Sequence, residues 1–79
     1  MTPGTLQLEN AIELIRSEYL KARAKHGPLR NSHEGYAVIL EELDEAWAEI
    51  KCNNAVLAKE ELAQVAAMCL AFILEVPHE

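Results

Sequence analysis

Between Leu62 and Leu74 the chain reads LAQVAAMCLAFIL, and apart from Gln64 no residue of this run is polar. A helix that is apolar all round has no face to offer water and must be covered on every side. The run is 13 residues long. A membrane span needs ~20, so the cover is expected to be protein. A chain of 79 residues buries only a little over ~60% of its unfolded surface and can hardly supply that cover alone. The expectation is a homodimer or higher homo-oligomer in which helices of two chains complete a bundle.

With 51% hydrophobic residues, three Gly and three Pro, the composition describes one compact helical domain over residues 1–79. The reading is all-α, with a three-helix protomer (about 6–25, 32–52 and 55–75) contributing to a four-helix-bundle-type core in the dimer. A loose start around Pro3 and Gly4 precedes the first helix, with Thr5 as a candidate cap. Leu8, Ile12, Ile15, Tyr19 and Ala22 then make one apolar stripe at helical spacing. Gly27-Pro28 stops this helix. Asn31, with Glu34 three residues on, resembles a capping box that opens the second helix, and Ser32 is an alternative cap. Along it Tyr36, Ile39, Leu43, Ala46, Trp47 and Ile50 fall within roughly 100° of arc, a core stripe. Asn53-Asn54 forms the next turn, because Asn tolerates left-handed backbone and caps the helix that follows. Pro77 ends the third helix, leaving His78-Glu79 as a tail.

The formal charge of −6 is unfavourable for nucleic acid and for anionic membrane. Cys52 and Cys69 are too far apart for a CxxC motif, and nothing in the sequence gives a secretory cue. Reduced thiols in a soluble cytoplasmic protein are expected.

The acidic residues are concentrated at Glu41, Glu42, Asp44, Glu45, Glu49, Glu60 and Glu61, seven of the 13 in the chain. Glu45 and Glu61 lie about eight residues to either side of the Asn53-Asn54 turn, and Glu42 and Gln64 about eleven. In an antiparallel hairpin both pairs are level. Residues three apart share a helix face, so Glu42, Glu45, Glu61 and Gln64 can converge ~12 Å from the turn at ~1.5 Å rise per residue. Glu42, Glu45 and Glu49 border the core stripe and do not oppose it. Carboxylates placed there are partly withdrawn from water, which is costly without a cation or hydrogen-bond donors. An all-oxygen set suits Mg²⁺ or Mn²⁺ better than zinc or copper.

The pattern Glu42-Leu-Asp-Glu45, a gap, then Glu61-Leu-Ala-Gln64 resembles that of the MazG-like all-α nucleoside triphosphate pyrophosphohydrolases, in which the last position is Asp. The resemblance implies a Mg²⁺-dependent conversion of a ribo- or deoxyribonucleoside triphosphate and water to the monophosphate and pyrophosphate. It also implies that Glu42, Glu45 and Glu61 are metal ligands, with Gln64 in the fourth ligand position and Glu45 a candidate to orient the attacking water. An amide oxygen at residue 64 coordinates without contributing charge, so metal binding is expected to be weaker than with Asp.

Other residues have a plain reading beside a functional one. Lys21 and Lys25 complement the negative end of the first helix; together with Arg30 they are also candidates to bind substrate phosphates. His33 in a first turn is most simply solvated. Tyr36 and Trp47 can stack on a base, but their place in the apolar stripe suits core or subunit packing better. Met68 and Phe72 read as core. The competing functional reading is a non-catalytic acidic helical dimer that binds a protein partner or senses nucleotide.

Overall fold

The computed structural model describes residues 4–78; the expected loose start at residues 1–3 and the last residue of the tail, 79, lie outside them. The described residues form three α-helices and no strand: α1 (Thr5–Lys25), α2 (Ser32–Lys51) and α3 (Ala55–Glu75). No helix among them is long and apolar enough to cross a membrane.

Local chemistry sets most of the helix ends. Gly4, not Thr5, is the N-cap of α1, and its N–H donates to Gln7 Oε1 at 2.7 Å. Asn31 caps α2 by accepting from the Glu34 N–H at 2.9 Å. The box is only half made, because the Glu34 carboxylate turns to the Arg30 N–H (3.0 Å) and guanidinium. After α2, Asn53 adopts φ 58, the left-handed conformation expected of the turn. The Asn53 N–H donates to the Ile50 carbonyl and the Asn54 N–H to that of Glu49, both at 3.0 Å, so two carbonyls at the end of α2 are satisfied. Asn54 then accepts from the Leu57 N–H at 3.1 Å and caps α3.

The helix α3 is central. It packs on α2 and on α1, which do not pack on each other. The buried residues are small: Ala58, Ala63, Ala67 and Ala71 on α3, Ala46 and Gly35 on α2. A Cβ at Gly35 would lie 2.8 Å from Phe72 Cε2, so the ring fills the space that the missing side chain leaves.

Of the apolar stripe expected on α2, only Ala46 is buried within the chain; Trp47 is 54% and Tyr36 65% exposed. The residues covered fully within the chain are its smallest, and the large apolar side chains stay at least partly exposed. Likewise α1 has no buried residue. The Cα radius of gyration, 13.5 Å, exceeds the about 12 Å of a compact chain of this length. The protomer is an open arrangement of helices with broad apolar faces at its surface.

Candidate functional site

Glu42 and Glu45, one turn apart on α2, meet Glu61 from α3, and one carboxylate oxygen from each lies within 4.8 Å of the others. The antiparallel hairpin set by Asn53 and Asn54 makes this meeting possible. Glu42 and Glu61 are half-buried and Glu45 is exposed. The Oε2 atoms of Glu42 and Glu61 are shut off from water and have no hydrogen-bond donor. Two carboxylate oxygens are thus desolvated without compensation, and they face a third carboxylate.

The electrostatics follow. Burial pushes the Glu42 carboxyl above the usual carboxylate range, and the charges of Glu45, Glu61 and Glu41 push it further. Burial raises Glu61 too, aided by repulsion from Glu45 and Glu49. A carboxyl whose folded-state pKa is raised stabilises the fold fully below its unfolded value and loses that contribution as pH rises through the folded one. Without divalent ions, the melting temperature is therefore expected to rise as pH falls from neutral toward the ordinary value of 4.5. Glu34, held below its ordinary range by hydrogen bonds from Arg30, acts in the opposite sense, and only at more acid pH. Removing the charge at neutral pH should have the same effect as acid. Glu61→Gln is expected to stabilise the metal-free protein by about 1 kcal/mol, roughly 4–8 °C in melting temperature, and to flatten the pH dependence. A melting temperature that is lowered by the substitution would mean that the three carboxylates do not repel one another.

Beside the cluster, a cavity of about 640 Å³ opens between α1 and α2, with α3 as its floor. Glu42 and Gln64 line it together with Lys21, Arg23, Lys25 and His26, and Val38 and Met68 give it an apolar stretch. Gln64 is half-buried on the same helix face as Glu61, one turn on. Of the cations singled out in the sequence, Lys21 and Lys25 thus share a cavity with Glu42. Arg30 is placed elsewhere: it is exposed, paired with Glu34 at 2.6 Å, and does not line the cavity. Trp47 stacks under Lys51, with Nζ 5.6 Å from the ring centroid, and Tyr36 is exposed; neither lines the cavity.

The sequence reading passed over Glu75. Its side chain is 9% exposed and pairs with Arg23 of α1. A signal was present: an acid in the last turn of a helix opposes the helix dipole, so a partner had to come from elsewhere.

Comparison with protein-family models, with curated proteins and with solved structures finds no match for this chain.

Proposed function

We propose that the chain is a nucleoside triphosphate pyrophosphohydrolase of the MazG-like all-α type, dependent on Mg²⁺ or Mn²⁺ and working as a homodimer. The reading rests on the convergence of Glu42, Glu45 and Glu61 from two helices, two of them with a water-excluded oxygen that lacks any donor. Such a set fits a hard divalent cation: it is all oxygen, it is negative, and it is incompletely satisfied by the protein. Glu42, Glu45 and Glu61 would hold the ion, with the Gln64 amide oxygen as a neutral fourth donor. Bound there, Mg²⁺ would offset phosphate charge and acidify a water molecule.

The chain's own residues divide the remaining work. Glu45, the exposed member of the three, orients the attacking water and takes its proton. The water oxygen bonds to the α-phosphorus as the bond to the α–β bridging oxygen breaks, and pyrophosphate leaves. Lys21 and Lys25, which line the same cavity as Glu42, neutralise the outer phosphates. Arg30, held by Glu34, stands apart from this arrangement.

The exposed apolar faces favour a second copy as their cover. Leu43, Trp47 and Ile50 on α2 and Leu62, Ile73 and Leu74 on α3 are each more than two-fifths exposed, a pattern that isolated monomers seldom show over adjoining helices. Pairing two α2–α3 hairpins would give the four-helix core that the apolar run of α3 requires.

The test is product analysis over a panel of ribo- and deoxyribonucleoside triphosphates with Mg²⁺. Equimolar monophosphate and pyrophosphate from at least one nucleotide is expected. A panel without pyrophosphate would reject the enzyme. Gln64, an amide where the resembling pattern has a carboxylate, is the observation that favours the second reading, a nucleotide-sensing or protein-binding dimer without turnover.

A further inference from the structure

Glu75 lies in the last turn of α3, which contains no basic residue to offset it. Its charge is compensated from α1 and from the connection that follows. Arg23 Nη2 pairs with Oε2, the Tyr19 hydroxyl donates to the same oxygen at 2.7 Å, and the Leu29 N–H donates to Oε1 at 3.0 Å. Arg23 also lies over the Tyr19 ring, 5.5 Å from its centroid, and its Nη1 donates to the His26 carbonyl at 2.9 Å. One carboxylate therefore secures both the last turns of α1 and the segment from His26 to Leu29.

Among the described residues no other side-chain hydrogen bond or ion pair ties α1 to α3. The helix α1 has no buried residue and packs on α3 alone. Yet this end of α1 carries the basic side chains of the cavity: Lys21 (paired with Glu18), Arg23 and Lys25 line it, and Lys25 has no ion-pair partner among the described residues. Glu75 does not line the cavity. We propose that Glu75 is a positioning residue, which through Arg23 and the Leu29 N–H sets the basic side chains of the cavity that Glu42 also lines and so governs binding of a polyphosphate there. This rests on the reading of the cavity as the seat of a phosphate chain.

The mechanism separates two halves of the site. Glu42, Glu45 and Glu61 belong to the α2–α3 hairpin, which α1 does not hold together. Loosening α1 should weaken the grip on phosphate and leave the carboxylate cluster intact. Arg23 and Glu75 act as a unit, so losing either should equal losing both.

The experiment measures calorimetric binding of inorganic tripolyphosphate, with MgCl₂ present, to the full chain and to Glu75→Gln, Arg23→Gln and the double variant. Melting with and without MgCl₂ is followed in parallel. Glu75→Gln keeps an acceptor for the Leu29 N–H and removes the charge facing Arg23, so it is the milder probe. Each single variant is expected to bind tripolyphosphate about tenfold more weakly, ~1.4 kcal/mol, and the double variant no more weakly than either. The shift of melting with Mg²⁺ should persist in all of them. If a nucleotide of the panel is turned over, KM should rise with kcat unchanged; a merely structural role would lower the apparent kcat through loss of folded protein and leave KM unchanged. Unchanged affinity in the variants would overturn the positioning role even if the hydrolase reading stands. A parent chain that releases no pyrophosphate but shows the tenfold loss would keep the positioning role and reject the enzyme. A parent chain that binds no tripolyphosphate overturns the positioning role outright.

Discussion

Gly35→Val is expected to destabilise the protein by about 3 kcal/mol or more, at the upper end of what forced overpacking costs, lowering the melting temperature by roughly 12 °C or more. The reason is steric. A Cβ at residue 35 would fall 2.8 Å from Phe72 Cε2, and valine adds two further methyl groups. Alanine poses the question more finely. In an exposed helix Gly→Ala gains about 1 kcal/mol of propensity, whereas forcing the Phe72 ring aside costs about 1–3 kcal/mol, so the net effect of Gly35→Ala should still be unfavourable. Combining it with Phe72→Leu removes the ring and should recover much of the loss. Melting followed by circular dichroism decides the matter. A stabilised Gly35→Ala protein would show that α2 and α3 stand further apart than described.

Saturating Mg²⁺ is expected to raise the melting temperature on the order of 10 °C. An ion at a hundred times its dissociation constant stabilises the folded state by about 2.7 kcal/mol, and each kcal/mol is worth roughly 4–8 °C in a domain of this size. Glu42→Ala and Glu61→Ala should each abolish the shift, since each removes one of three converging carboxylates. Gln64→Asp should enlarge it by adding a charge. A change of sign makes the test specific: without divalent ions, neutralising Glu61 relieves repulsion and stabilises, whereas with Mg²⁺ the same change removes a ligand and destabilises relative to the parent. Calorimetric scans with and without Mg²⁺ would show the crossing. A shift that survives both alanine substitutions would place the ion elsewhere.

The fold was largely legible because its boundaries are written in local chemistry. Asn31, Asn53 and Asn54 each satisfy backbone groups that a helix end leaves open, and they do so where periodicity stops. The meeting of Glu42, Glu45 and Glu61 was legible for the same reason, since a tight turn between two regular helices fixes which residues are level. Depth was not legible. Periodicity marks a face without saying which members of it are covered within one chain, and Ala46 is buried while Trp47 beside it is not. The cap of α1 is Gly4 and not Thr5 because Gln7 reaches back to the Gly4 N–H. Glu75 was missed because its partners, Tyr19, Arg23 and Leu29, are brought to it only by the docking of α1. Long-range pairing of this kind leaves no trace in spacing.

The small size of the residues buried in α2 and α3 also shapes how the protomer responds to temperature. Alanine freezes no side-chain rotamers when it is covered and withdraws little hydrocarbon from solvent. The heat-capacity change on unfolding a single chain is correspondingly small, and its free energy of folding varies gently between cold and warm.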